Sequence, residues 1–261
     1  MSFVKEAFPK MSHAKACRVL GCSRTKKYYQ KRMPAKDAPV RAAIGEAVGS
    51  SRLGRRKVIA KVRRKHPSLG ASRIRRVYQR EGFPLYKRPR VKRPGNPANP
   101  ISVPMSPNVE WAMDFMSDSL ANGQGFRTLN IVDQYNRKCL RIEVGRSMPA
   151  RKVVEALGKT IGEHGKPAGI RADNGPEFVS GAFQRWLRGS GIAWVGIQKG
   201  KPQQNAIVER FNRTYREDVL DPNLFSSIAH AQEVTDRWVE EYNNERPHEA
   251  LRNQTPNEYA A

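Results

Sequence analysis

The chain has 261 residues, and 48 basic against 24 acidic side chains leave a formal net charge of +24. All of the excess lies in residues 1–100, with 28 basic and 4 acidic side chains, whereas residues 101–261 balance at 20 of each. No run of about 18 apolar residues is available to cross a membrane. The N-terminus lacks an apolar stretch long enough for a secretory signal, and Cys17, Cys22 and Cys139, without close CxxC spacing, suit neither a disulfide scaffold nor structural zinc. The composition predicts a soluble intracellular protein. Its basic segment meets a polyanion, most simply nucleic acid, because phosphate neutralisation releases counterions.

Residues 12–32 read as a short basic helical lead-in, with Ser23 placed to cap RTKKYYQKR and with Tyr28 and Tyr29 as packing residues. In GRRKVIAKVRRKH, Val58, Ile59 and Val62 fall at helical spacing among basic positions. His66, Pro67 and Gly70 interrupt the pattern, and SRIRRVYQRE resumes it with Ile74, Val77 and Tyr78 before Gly82. Two short amphipathic helices around a tight turn fit a helix-turn-helix, and equally an all-helical basic domain that touches only phosphates. Candidate phosphate contacts here are Arg55, Arg56, Lys57, Arg73, Arg75 and Arg76. Residues 87–108 hold six prolines in 22 positions, which predicts an extended linker at the charge boundary. The expected organisation is a helical region over 1–86, this linker, and a second domain over 109–261.

Beyond the linker, VEWAMDFM, FRTLNIVD and KCLRIEVG read as three strands joined by the turn-formers NGQG and QYNR, an antiparallel meander. A helix over 149–164 points Val153, Val154, Leu157 and Ile161 inward. AGIRA is a short strand, PEFVSGAFQRWLRGS a helix with Pro176 in its first turn, and IAWVGI another strand. Long helices follow over about 203–220 and 226–244. The order is that of a mixed α/β sheet flanked by helices.

Three carboxylates occupy positions an ordinary fold disfavours or that suit a site. Asp114 interrupts an apolar strand. Asp173 follows a strand directly at its C-terminal edge, where open α/β sheets place ligands. Glu209 lies roughly 200° around its helix from the stripe Ile207, Phe211, Tyr215 and Val219. That places it with Asn205, Asn212, Arg213 and Arg216 on a polar face suited to a DNA backbone. Lys199 and Lys201, in a basic loop before this helix, are further candidate contacts. Asp118 and Asp133 read as edge or turn carboxylates, Glu177 as a first-turn charge and His248 as a packing residue.

WAMDFM, IRADNGPEF and GKPQQNAIVERFNRTYR resemble the integrase-type catalytic core of insertion-sequence transposases and retroviral integrases. Thirty-five residues separate Asp173 from Glu209, matching that family's Asp-Asp-35-Glu spacing. The tail WVEEYNNERPHEALRNQTPNEY and the N-terminal helical segments are similar to the downstream-frame product of two-frame bacterial insertion sequences. The resemblance implies a ribonuclease H-like fold and a metal-dependent DNA transposase. Asp114, Asp173 and Glu209 would hold two magnesium ions, with manganese as substitute. Double-stranded DNA, as element ends and as target, would be the substrate of a homo-oligomer. An upstream-frame protein or fusion would supply further DNA binding. A nuclease of the same fold that cuts without joining, and a non-catalytic DNA-binding regulator, are the competing readings.

Overall fold

The computed structural model describes residues 9–21, 32–49, 53–84, 104–197 and 202–260. Ser23, Tyr28, Tyr29, Lys199, Lys201 and most of the proline-rich segment lie outside these residues. Among the described residues four helices precede the sheet: α1 (His13–Val19), α2 (Arg32–Val48), α3 (Arg55–Lys65) and α4 (Ala71–Arg80). The last two coincide with the expected amphipathic pair, and Val58, Ile59, Val62, Ile74, Val77 and Tyr78 are all buried. They pack on α2, which has no counterpart in the sequence reading. Its inward residues Val40, Ala43, Ile44 and Ala47 follow helical spacing, but two are small and Pro39 sits inside the helix, so the apolar stripe is faint.

One buried carboxylate ties this helical unit together. Asp37 of α2 accepts hydrogen bonds from Arg73 at 3.3 Å, Arg76 at 2.8 Å and Arg80 at 2.8 Å, all from α4. Burial pushes its carboxyl upward, but the bonds from Arg80 and Arg73 and the charge of Arg76 outweigh it and hold the group below its ordinary 3.8. A depressed carboxyl stabilises the fold above its unfolded pKa and stops doing so as pH falls through the folded value. Asp37→Asn is therefore expected to lower the melting temperature at pH 7. The gap to the wild type should close only below pH 3.8, which thermal melts across pH 3–7 would check.

The sheet has the order β3-β2-β1-β4-β5. Strands β1 (Glu110–Ser119), β2 (Gly125–Asp133) and β3 (Cys139–Gly145) form the expected antiparallel meander, and β4 (Gly169–Ala172) and β5 (Ala193–Gly196) extend it in parallel with β1. Alternation along β1 sends Trp111 and Met113 to one face and Ala112 to the other. The first face is covered by α5 (Ala150–His164), α6 (Pro176–Val179) and α7 (Gly181–Ser190). The second is covered by α8 (Ala206–Tyr215) and α9 (Ile228–Asn244), and α10 (Pro256–Ala260) closes the chain.

Two helices differ from expectation. PEFVSGAFQRWLRGS is broken at Ser180, whose extended backbone lets its hydroxyl accept from Phe183 N and cap α7. The segment 203–220 divides into a 3-10 turn (Pro202–Asn205), α8 and a π turn (Arg216–Leu220).

The helical unit docks on the core through α3. Lys61 is 6% exposed and lies 3.0 Å from both Glu241 and Glu245 of α9. Burial pulls its pKa down, and the hydrogen bonds to those glutamates outweigh this and raise it. Arg64 reaches Glu258 at 2.8 Å and Asn253 O at 2.9 Å. Lys61→Met leaves two glutamates facing each other. It should cost about 1–3 kcal/mol in denaturant titration, below the usual penalty for a fully buried pair because both glutamates are partly exposed. An unchanged midpoint would show that the contact contributes nothing.

Candidate active site

Strand register brings two of the three carboxylates together. In the parallel β1–β4 pair Ala112 stands beside Arg171, so extending the register by two residues sets Asp173 next to Asp114. Adjacent strands lie about 4.8 Å apart. Asp114 projects from the face that carries Ala112, toward α8. Glu209 is exposed near the start of α8 and has Asn212 one turn later on a neighbouring position.

Asn212 is buried, not part of an exposed polar face, and so is Asn205. The Asn212 Nδ2 donates to Asp114 Oδ2 at 2.7 Å, and its Oδ1 accepts from Asn130 Nδ2 at 2.6 Å. Asn130 is the cross-strand neighbour of Asp114 on β2. The other Asp114 oxygen accepts from Phe115 N at 2.8 Å. A chain of amides from strand and helix thus fixes the Asp114 rotamer. The helical wheel alone gave no sign of this, because the partner is 98 residues away. Inward positions of α8 are Val208, Phe211 and Tyr215, with Val219 continuing in the π turn; Ile207 is only half-buried.

Burial raises the Asp114 pKa to about 6, and the charges of Asp173 and Glu209 add to the rise. The three carboxylates therefore feel one another. Among the described residues, no three Asp, Glu, His or Cys side chains converge tightly enough to enclose an ion. Asp173 and Glu209 are both exposed, so their carboxylates can stand apart as like charges do.

The loop after β4 is shaped by its own side chains. Asp173 Oδ1 accepts from Gly175 N at 3.1 Å, and a Cβ at Gly175 would sit only 3.1 Å from that oxygen. A larger residue there would press on the Asp173 carboxylate and shift it. Asn174 Nδ2 donates to Ile197 O at 3.0 Å, tying the loop to the end of β5. Phe178 of α6 is fully buried and stacks on Phe115 at 4.7 Å. Glu177 lies in the first turn of α6, as expected, and is also ion-paired with Arg127.

The candidate phosphate contacts fall into two groups. Arg56, Arg75 and Arg213 are exposed and Arg55 is partly so. Arg73 and Arg76 are drawn to Asp37, and Arg216 bonds Ser117 O at 2.8 Å and approaches Asp118 at 3.4 Å. Lys57 is half-buried against the core. Asp133 is a turn carboxylate, accepting from Asn108 N and Tyr135 N. His248 packs its ring against Tyr242, and burial together with the charge of Lys57 drops its pKa to about 3, so it stays neutral.

Comparison with known proteins agrees with this architecture. Two integrase core domain models match, over residues 104–202 and 190–256. An insertion element IS407 protein of 31.7 kDa from Burkholderia multivorans is 33% identical over 262 residues, covering 100% of this chain and 94% of that protein. The transposase for insertion sequence element IS904 of Lactococcus lactis is 28% identical over 185 residues, 70% of each chain. Among solved structures, a chain of the simian T-cell lymphotropic virus intasome aligns with a TM-score of 0.52 at 18% identity, over 80% of this chain and 70% of that one. The shared feature is the ribonuclease H-like fold.

Proposed function

Because the chain belongs to the integrase-core family of insertion-element proteins, we propose that it is a DNA transposase that cuts at the ends of a mobile element and joins the freed 3′-hydroxyl to target DNA. The observation that carries this reading is Asp114. It is a carboxylate locked by amides in the middle of a core strand, it feels the charges of Asp173 and Glu209, and continuing the β1–β4 register two residues past Ala112 and Arg171 leads to Asp114 and Asp173.

The donor set suits a hard divalent cation such as magnesium, with manganese as substitute: three carboxylates, no sulfur, and a mutual repulsion that a cation relieves. Asp114, Asp173 and Glu209 are the residues proposed to hold two such ions. When bound, they supply Lewis-acid activation of the attacking oxygen and neutralisation of the leaving one. In the first step water attacks the phosphodiester at the element's end, the P–O3′ bond breaks, and the 3′-oxygen leaves as a hydroxyl. In the second step that 3′-hydroxyl attacks a target phosphodiester and displaces its 3′-oxygen, conserving the number of phosphodiester bonds. Asn212 and Asn130 hold the Asp114 carboxylate in place throughout. Exposed Arg56 and Arg75 and partly exposed Arg55 of the helical unit, with exposed Arg213 of α8, are proposed to grip DNA phosphates. A homo-oligomer on double-stranded DNA is the proposed working form. Fusion to an upstream-frame product remains part of the proposal.

The test incubates the protein with a plasmid carrying its gene's flanking DNA, in magnesium, manganese or chelator, beside Asp173→Asn. Metal-dependent joined products that vanish in the variant support the transposase. Nicks alone favour a nuclease. No product even with the upstream frame fused leaves a DNA-binding regulator. The DNA grip has its own check: Arg56→Gln with Arg75→Gln should flatten the logarithmic salt dependence of duplex binding by about 1.8, from two lost phosphate contacts.

A further inference from the structure

A cationic site lies between the helical unit and the core, on another side of α8 from Glu209. A cleft of about 930 Å³ opens there. Its walls are Gly54 and Lys57 at the start of α3, Arg137 in the β2–β3 turn, Arg210 of α8, Arg246 after α9, and the segment from His248 to Ala250. Positions 206, 207, 210, 211 and 214 of α8 form one stripe that faces it, while Glu209 points roughly 130° away by the helical period.

Four cations line this cleft against one carboxylate, Glu249, which is exposed. Arg246 alone among the four is ion-paired within the described residues, with Asp218. Among the described residues Lys57, Arg137 and Arg210 make no direct ion pair, Lys57 feels Glu249 and Asp218 and Arg137 feels Asp133 only at a distance, and Arg137 Nη1 is buried without a hydrogen-bond acceptor. Arg210 is exposed and Lys57 and Arg137 are half-buried, and a half-buried cation without a direct partner carries part of the desolvation cost of an uncompensated charge. Here burial, together with the charges of Arg246 and Arg210, brings the Lys57 pKa down to about 8. The lining holds more cations than carboxylates.

We propose that this cleft binds the phosphodiester backbone of a single DNA strand, separately from the carboxylate cluster, so that bound DNA bridges the helical unit to the core. The proposal rests on the reading that the chain works on DNA. The volume falls in the range of about 300–1,000 Å³ typical of cavities for ligands of a few hundred daltons, enough for a short stretch of one strand and too little for a duplex. A cationic groove following one backbone is the common device for single strands. Guanidinium forks at Arg137 and Arg210 suit phosphate oxygens.

The experiment uses the full chain in chelator, so it needs no turnover and can fail without bearing on the joining assay. Binding of a 12-nucleotide single strand is measured by fluorescence anisotropy across salt concentrations, for the wild type and for Lys57→Met with Arg210→Gln. The double variant is expected to bind about tenfold more weakly, with the logarithmic salt slope reduced by about 1.4 from two lost contacts. Unchanged affinity and slope would overturn the proposal. In parallel, Lys57 acetylation in the wild type is followed by mass spectrometry at pH 8 with the strand or with inorganic pyrophosphate. Protection by the strand supports the proposal even if the double variant misfolds. Protection by pyrophosphate but not by the strand would make the cleft a site for small phosphate compounds and overturn the strand as its occupant.

Discussion

Asp114→Asn is expected to abolish cleavage and joining while making the metal-free protein more stable at pH 8. Removing one of three proposed cation-holding carboxylates withdraws several kcal/mol of charge stabilisation, so activity should fall about 10³-fold or more. The stability effect runs the other way. The carboxyl has a folded pKa of about 6 against an ordinary 3.8, because burial and the charges of Asp173 and Glu209 disfavour its ionised form. A raised carboxyl penalises the fold above its unfolded pKa; the penalty is complete above about 6 and absent below 3.8. Two pKa units correspond to about 3 kcal/mol. Asparagine offers one acceptor where Asp114 uses two, toward Phe115 N and Asn212 Nδ2, and losing one hydrogen bond offsets about 1 kcal/mol. The net gain should be about 1–2 kcal/mol at pH 8, vanishing near pH 4. Adding magnesium should raise the melting temperature of the wild type but not of the variant, by ligand linkage. A variant less stable than the wild type at pH 8 would show that Asp114 serves the fold, not a cation.

The parts of this molecule legible in the sequence are those written in local periodicity. Alternation in WAMDFM and FRTLNIVD gave the meander, and the odd carboxylate in the first gave Asp114. The apolar spacing of Val58, Ile59 and Val62, then Ile74, Val77 and Tyr78, gave the helix pair. What was not legible depends on partners distant in the chain. Arg73 and Arg76 look like surface cations until Asp37, more than 35 residues earlier, is found buried between them. Lys61 sits among basic residues and turns out to be held by α9, 180 residues away. The helical period sets Asn212 with Glu209 on the face away from the apolar stripe; only the folded sheet supplies the carboxylate and the second amide that make its burial tolerable. Helix α2 failed for a different reason. Alanines and an internal proline lower its amphipathic contrast, and its burial comes from α3 and α4 covering it.

Asn212→Leu should uncouple the carboxylate cluster without dismantling the fold. Leucine keeps the branched heavy-atom outline of asparagine, in bulkier form, but removes the donor to Asp114 Oδ2 and the acceptor of Asn130 Nδ2. Asn130 Oδ1 already lacks a partner, so the variant leaves this amide wholly unsatisfied, at about 1–3 kcal/mol. Loss of a group that orients a cation-holding side chain typically costs 10–100-fold in metal affinity or activity. The decisive readout is which quantity moves. If Asn212 positions Asp114, the magnesium concentration for half-maximal cleavage should rise about tenfold or more, and saturating metal should recover part of the rate. Asn212→Asp sharpens the test by placing a further charge against a carboxyl already raised to about 6. Its like charge should push the Asp114 pKa higher still, so the pH at which half-maximal activity is reached should move upward. A purely structural asparagine would instead lower the melting temperature in both variants and leave the magnesium and pH dependence of the remaining activity where the wild type has them.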